Sequence, residues 1–260
     1  MGNNLFNLFG RFEYKSQSYP HHEKVRNYFK IISPDKTNEY FYNKIKTVWG
    51  DLFTLSFDDF NDEIEKINKR IDHDGFDNIK KSISPLPVYI PKIEFENHIN
   101  LLIENYLPKL KDSFKAENPE YDFSTYSLPT VNTKILIEKF SNYEKLLEKS
   151  KIKPHVGLFF PCFNEFSRKA ALECFRLLPN YFIFSGGIDT TSALISHPNL
   201  LIRKDGYAPL LWIGSFDSER DDAAYHFESY GYNLTFNRKV HFNQCAESWL
   251  FGITAFNFAT

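Results

Sequence analysis

The sequence has few cysteines and no long apolar run, and each shortage excludes a class of protein. The three cysteines, Cys162, Cys174 and Cys245, are odd in number and widely spaced, which argues against a disulfide framework and against a zinc site. The apolar runs 181–184 and 210–213 are far too short to span a bilayer. No basic start with a long apolar stretch marks a secretory signal. We therefore expect a folded protein in a reducing, cytoplasmic compartment, with no membrane partner.

Charge of one sign is also lacking, since the formal net charge is −2. A net charge this close to zero gives no reason to expect that the protein as a whole is attracted electrostatically to nucleic acid. Aromatic residues, by contrast, are abundant, with 27 Phe and 15 Tyr. Large buried rings offset a remainder rich in Lys and Asn, so the composition predicts a core built on aromatic side chains.

From Glu23 to about Lys151 the pattern predicts helices, because apolar residues recur three and four apart between charged ones. One helix is predicted after Ser56, and a second over 95–114 with Pro108 threatening a kink. A third is predicted over 133–150. We expect residues 1–152 to form a helical domain. The inward stripes of the first and third helices are Phe60, Ile64, Ile67 and Ile71, then Ile137, Phe140, Tyr143 and Leu147.

After residue 153 the sequence pattern changes, and short apolar runs alternate with segments of helical periodicity. Strands are predicted at 155–160, 181–184, 210–213 and 234–242, and helices at 166–178, after Gly187 and at about 219–230. Because this order is typical of α/β proteins, the fold class predicted for residues 153–260 is a partial parallel-sheet α/β domain that binds a nucleotide.

The run from Ser185 to Ser192, which reads Ser-Gly-Gly-Ile-Asp-Thr-Thr-Ser, lies where a predicted strand ends and a helix begins. Adjacent glycines let a ligand approach the backbone, and the amide groups of a helix N-terminus favour an anion. Asp189 conflicts with an anion unless Mg²⁺ intervenes, which makes it the candidate metal ligand. It can equally cap the helix. An ordinary glycine turn remains the alternative for the whole run.

This run resembles the Ser-Gly-Gly-x-Asp-Ser/Thr signature of the PP-loop ATP pyrophosphatases, which include asparagine synthetases, argininosuccinate synthetases, NAD synthetases and queuosine-precursor synthases. The resemblance covers roughly residues 165–245. It implies ATP and Mg²⁺ as cofactors, and an ATP-dependent ligase or amidotransferase that adenylates a carboxylate-type substrate and releases pyrophosphate. By the resemblance, the pyrophosphate portion of ATP contacts Ser185, Gly186, Gly187, Asp189, Thr190 and Thr191. Adenine and ribose are flanked by Phe184, Ile213, Gly214 and Ser215.

Two features leave other functions open. The chain ends at Thr260, before the later strands of such enzymes, so a fragment, or a subunit completed by a protein partner, is expected rather than a whole catalytic domain. The acidic residues Glu219, Asp221 and Asp222 are better explained by a helix start than by a cation. A non-catalytic interaction or immunity-type protein that keeps the α/β half as a scaffold is the alternative function.

Overall fold

The computed structural model describes residues 5–13, 18–22, 28–31, 33–81, 83–129, 136–217 and 222–258. The predicted helical content at Glu23 to Asn27 lies outside these residues, as do residues 218–221. No helix in the described ranges has the length and apolar character needed to cross a membrane. The helices are α1 (Asn38–Trp49), α2 (Phe57–His73), α3 (His98–Leu101), a π-helical turn (Leu102–Tyr106), α4 (Leu107–Glu117), α5 (Tyr143–Ser150), α6 (Arg168–Phe175) and α7 (Gly187–Ser196).

Two helices follow directly from local signals. Helix α2 begins where the Ser56 side chain accepts a hydrogen bond from the Asp59 amide, and it buries the predicted stripe from Phe60 to Ile71. The predicted helix over 95–114 is observed as α3, the π-turn and α4. Pro108 lies in the first turn of α4, where its missing N–H costs least, and the π-turn before it absorbs the change in winding.

The strands form one large sheet and one small pair. The eight-stranded sheet has the order β1-β4-β10-β6-β8-β9-β2, and β5 pairs with β10 off this path. The strands are β1 (Leu86–Ile90), β2 (Phe123–Thr125), β3 (Leu136–Ile137), β4 (His155–Asn164), β5 (Phe182–Phe184), β6 (Leu210–Trp212), β7 (Phe216–Asp217), β8 (Ala224–Tyr230), β9 (Asn233–Lys239) and β10 (Trp249–Phe256). Strands β3 and β7 pair only with each other.

The prediction of a parallel nucleotide-binding sheet is wrong. Among the named strands of the described residues, β10–β6 and β9–β2 pair in parallel in the large sheet, and its other neighbours are antiparallel. Strand β10 holds β4 along one edge, and its other edge is shared by β6 at 249–251 and β5 at 253–255. Because β5 runs against β10 and β6 runs with it, the carboxyl ends of β5 and β6 meet opposite Gly252. The crevice expected beside parallel strand ends is therefore absent at this point.

Residues from both halves of the sequence build this sheet. Strand β1 pairs with β4, and β2 pairs with β9, so the N-terminal half contributes more than helices. The boundary at 152–153 stays a prediction. The helix predicted over 219–230 is also wrong for its described part, because Ala224–Tyr230 is a strand paired with β9. Its row of Tyr, His and Phe suits a pleated surface better than a helix.

Candidate functional site

The predicted nucleotide loop does connect a strand to a helix. Strand β5 ends at Phe184, Ser185 and Gly186 follow, and α7 begins at Gly187. The Ser185 amide donates to the Gly252 carbonyl, and the Gly214 and Ser215 amides both donate to the Ser185 carbonyl. The loop is thus clamped between β10 and the end of β6, and every residue of α7 is buried.

Asp189 occupies the position that an anion would take at the start of α7. Its Oδ1 accepts a hydrogen bond from the Gly186 amide at 2.8 Å, and its Oδ2 accepts one from the Thr254 hydroxyl at 2.6 Å. The Ser185 hydroxyl lies 3.0 Å from that of Thr254. The alternative interpretation of Asp189 as a helix cap is thereby confirmed. Burial raises the pKa of Asp189 to about 6, against the lowering effect of these hydrogen bonds.

Tyr143 closes the loop from the opposite side. Its hydroxyl oxygen accepts a hydrogen bond from the Ile188 amide at 2.9 Å. Its ring lies so near Gly186 that a Cβ there would be 2.3 Å from a ring carbon. A Cβ on Gly187 would come within 2.8 Å of Leu102 and 2.9 Å of Phe216. The space beside the two glycines is therefore filled by the protein's own side chains, at the place where a ligand was expected from the sequence.

The hydroxyl groups of the loop are buried as well. Thr191 donates to the Gly187 carbonyl at 2.6 Å, so its hydroxyl serves the first turn of the helix. The Thr190 Oγ1 is buried without a hydrogen-bond partner. Both side chains have an exposed fraction of 0%.

The residues expected around adenine and ribose are also in the interior. The Phe184 ring stacks on Phe251 and lies against Gly214, whose added Cβ would be 2.5 Å from it. The Ser215 hydroxyl donates to the Phe184 carbonyl. Ile213 has an exposed fraction of 0%. The structure brings all these predicted residues together, but they form part of the packed core.

In this arrangement the residues do not fit ATP or Mg²⁺. Both carboxylate oxygens of Asp189 are engaged, and the Gly186 and Ile188 amides already have acceptors. Over the described ranges, no group of three or more His, Cys, Asp or Glu side chains is arranged to hold a metal ion. A triphosphate would require Tyr143 to leave the loop first. The assignment of these residues to nucleotide contacts stays a prediction.

A second candidate site lies on the other side of β5 and was missed in the sequence. It is a pocket of about 540 Å³ beside the turn 138–142. Phe140 was predicted to face inward on a helix, but α5 begins only at Tyr143, and 74% of Phe140 is exposed. The pocket is lined by Phe140, Asn142, Phe175, Arg176, Leu178 and Asn180.

Hydrogen bonds to β5 hold this turn in place. The Phe184 amide donates to the Ser141 carbonyl, and the Asn142 Nδ2 donates to the Phe182 carbonyl, both at 2.9 Å. The turn thus covers the edge of β5 that β10 leaves free. Beside the Ser141 anchor, on either side, Phe140 has a φ of 66° and Asn142 a φ of 59°. Asn tolerates this left-handed conformation, whereas for a bulky apolar residue it is strained.

Charged side chains support the base of the turn. Arg168 donates from Nε to the Gly214 carbonyl at 2.9 Å, and its two Nη atoms lie 2.7 Å from Glu138 Oε2 and from Asp217 Oδ1. Desolvation raises the pKa of Glu138, although Arg168 opposes the shift. Arg176, half exposed, lies 3.9 Å from Glu138 and 5.4 Å from the centre of the Phe140 ring.

Signals for this turn exist in the sequence. Ser141 and Asn142 precede the Leu146–Leu147 pair, and Ser and Asn favour turns and helix starts over helix interiors. The apolar spacing of Phe140 concealed this boundary, because it matches the helical period.

Comparisons of the chain with protein-family models, with curated proteins and with solved structures gave no match.

Proposed function

We propose that this chain is a non-catalytic binding protein, in which the α/β body is a scaffold and the pocket beside Phe140 takes a segment of a partner protein. The observation that carries the proposal is Phe140 itself, 74% exposed on a left-handed backbone. Such strain costs about 1 kcal/mol, as for other side chains in the left-handed region, and is typical of ligand clamps and other functional positions. Asn at position 140 would tolerate the left-handed backbone at lower cost, so the fold alone does not account for the ring.

The pocket favours a peptide that presents an apolar side chain beside a carboxylate. Phe175 and Leu178 supply an apolar floor, and the Phe140 ring forms an exposed rim. Arg176 retains donors for a partner, because Glu138 lies at 3.9 Å and is engaged more closely by Arg168. Aromatic and Arg side chains are the residue types that most often dominate protein interfaces.

A phage-displayed library of random peptides tests this proposal without a known partner. The library is selected on the wild-type protein and in parallel on Phe140→Asn. We expect peptides enriched only on the wild type, each with a large apolar residue next to Asp or Glu. Their affinity should fall at least tenfold on Arg176→Gln, since a charged hydrogen bond of about 1.5–3 kcal/mol is lost.

The matched control is Tyr230→Asn, because Tyr230 is 78% exposed at the end of β8 and does not line the pocket. Peptides that bind Tyr230→Asn and wild type equally, but not Phe140→Asn, support the pocket. Equal enrichment on wild type and Phe140→Asn would overturn the proposal, and so would enriched peptides without an acidic residue.

Nucleotide binding is the second candidate, favoured by the strand, glycine loop and helix that the structure shows in the predicted order. ATP and Mg²⁺ could bind only after Tyr143 releases the Ile188 amide. Calorimetry with Mg²⁺-ATP on wild type and on Tyr143→Ala, shown by circular dichroism to be folded, tests this candidate, because removing the ring and its hydroxyl uncovers Gly186 and frees the Ile188 amide. Saturable binding that strengthens in Tyr143→Ala supports the nucleotide function, and release of pyrophosphate on adding a carboxylate substrate would support the adenylating activity that the resemblance implies. Absence of heat in both variants removes it.

The proposal includes a reducing, cytoplasmic setting. All three cysteines are free thiols, and Cys162 and Cys174 are buried in the core. Burial raises their pKa well above the ordinary range, so both are held as unreactive thiols.

A further inference from the structure

A cluster of cations surrounds the C-terminal end of α5. We call it the basic cluster, and its members are Arg70, Lys145, Lys149, Lys151 and Lys153. After α5 the chain makes a tight turn, in which the Ile152 and Lys153 amides donate to the Lys149 carbonyl. Three of the five cations are exposed, and Lys145 and Lys149 are half-buried.

The members of the basic cluster are close enough to repel one another. Burial lowers the pKa of Lys145, and the charges of Lys149 and Arg70 lower it further. Burial also lowers the pKa of His155, and the charges of Lys153 and Lys149 lower it further. Among the residues that the structure describes, none of the five cations forms an ion pair within 4 Å. The nearby Glu63 is paired with Lys66 at 2.8 Å.

Aromatic rings position these cations without neutralising them. The Arg70 guanidinium lies 4.3 Å from the centre of the Tyr181 ring, and the Lys145 ammonium lies 5.0 Å from that of Phe258. Lys151 lies 4.6 Å from the ring of Phe95. A cation over a ring keeps its full charge. The fold therefore presents five cations at this surface, in excess of the exposed Glu144 and Glu148 of α5.

An apolar side chain projects from the same surface. Ile152 is 66% exposed, at the tip of the turn between Lys151 and Lys153. Burying an aliphatic side chain in the boundary between headgroups and acyl chains is favourable, and neighbouring lysines add attraction to anionic headgroups. Helix-dipole stabilisation explains Lys149 in the last turn of α5, but it does not explain the Arg70 of α2 or the exposed Ile152.

We infer that the basic cluster and Ile152 form a contact surface for an anionic phospholipid membrane. This inference is independent of the pocket beside Phe140. A lipid surface fits better than single-stranded nucleic acid for two reasons. Ile152 has no ring on which a base can stack, and the rings of Tyr181, Phe258 and Phe95 are already covered by cations.

Vesicle sedimentation of the full chain tests the inference. The probes are vesicles of phosphatidylcholine with phosphatidylserine, and vesicles of phosphatidylcholine alone. We expect binding only to the first, weakened by added salt. Removal of one charge at the surface should lower partitioning about fivefold, so Lys149→Gln/Lys153→Gln should lower it about 25-fold. Ile152→Ser should lower it without changing the salt dependence.

The control is Lys69→Gln/Lys115→Gln, which removes two exposed lysines that are paired with Glu65 and Asp122. This variant should sediment like wild type, and circular dichroism should show that all variants are folded. Equal binding to both kinds of vesicle would overturn the inference, and so would equal losses in the two double variants. Binding to an oligothymidine probe without sedimentation on vesicles would assign the surface to nucleic acid and also overturn it.

Discussion

The two turns that flank β5 treat their side chains in opposite ways. The loop 185–186 and the start of α7 turn every polar group inward, where Asp189, Tyr143 and Thr254 serve as partners. The turn 138–142 instead presents an apolar ring outward on a strained backbone. In the first turn the protein supplies partners for the groups suited to a ligand, apart from the buried Thr190 hydroxyl, and in the second a side chain suited to the core is exposed.

The comparison shows that a motif and its accessibility are separate properties. A glycine pair before a helix is suited to an anion by its local conformation. Whether an anion can reach it depends on residues distant in sequence, here Tyr143 and Phe216. The strained Phe140, by contrast, has no motif, and only the hydrogen bonds of its neighbours to β5 reveal that its exposure is imposed by the fold.

The largest expected effect is at Gly186. Gly186→Ala places a Cβ 2.3 Å from the Tyr143 ring, which Phe216 and the Ile188 amide hold in place. We expect the free energy of unfolding to fall by about 3 kcal/mol, the upper end of ordinary overpacking costs. Urea denaturation measures it.

Gly231→Ala is the control for Gly186→Ala. A Cβ there meets nothing within 4 Å, but its φ of +62° strains any side chain, which costs about 1 kcal/mol. If Gly186→Ala costs no more than this control, the loop is not sealed by Tyr143.

Much of the local structure could be predicted from the sequence, because its causes are local. The Ser56 cap and the stripe from Phe60 to Ile71 lie within one helix. The fold class could not, since it depends on β10, whose eight buried residues pair with β4, β5 and β6. Nothing near Phe184 in sequence shows that β5 runs antiparallel to its partner.

The candidate sites could also be predicted only where their residues lie close together in the sequence. The capping role of Asp189 is readable from its position three residues after Gly186, and it was one of two open interpretations. The acceptor for the Ile188 amide was not readable, because Tyr143 lies 45 residues away. The basic cluster was hidden by a net charge of −2, which averages over the whole chain. Its charges converge from α2, α5 and the following turn.

The second prediction concerns the pH dependence of the sealed loop. The folded pKa of Asp189 is about 6, against an ordinary 3.8. The folded state therefore binds the Asp189 proton more tightly than the unfolded state does. The contribution of this proton to the free energy of unfolding is fully present below pH 3.8 and is lost as pH rises through 6. Three histidines have the opposite slope, since burial lowers the pKa of His98 and His197 to about 4 and also lowers that of His155.

Subtracting Asp189→Asn from wild type isolates the carboxyl group from the histidines. We expect the wild type to gain stability relative to Asp189→Asn between pH 7 and pH 4, by at most about 3 kcal/mol at roughly 1.4 kcal/mol per pKa unit. Denaturation at a series of pH values measures the difference. A difference that is constant with pH would show that Asp189 is not desolvated as the structure requires.

The third prediction concerns the hydroxyl of Tyr143. Tyr143→Phe keeps the ring over Gly186 but leaves the Ile188 amide buried without an acceptor. Such an unpaired donor costs about 1–3 kcal/mol. We expect thermal and urea unfolding to show a loss in this range. Tyr230→Phe, at a 78% exposed position, should cost nothing measurable, and equal effects of the two changes would contradict the role of Tyr143 as the acceptor.

The smallest expected effect on stability is at Phe140, and there the small size is itself the evidence. Phe140→Asn removes a contact with Arg176 worth about 0.5–1 kcal/mol at an exposed site. It also relieves a left-handed strain that Asn tolerates, so the free energy of unfolding should change by less than about 0.5 kcal/mol. Asn142→Ala, which loses the hydrogen bond to the Phe182 carbonyl and places Ala at a φ of 59°, should cost about 2 kcal/mol in the same urea titration. If Phe140→Asn were the more costly change, the ring would be stabilising the fold, and its exposure would no longer indicate a partner.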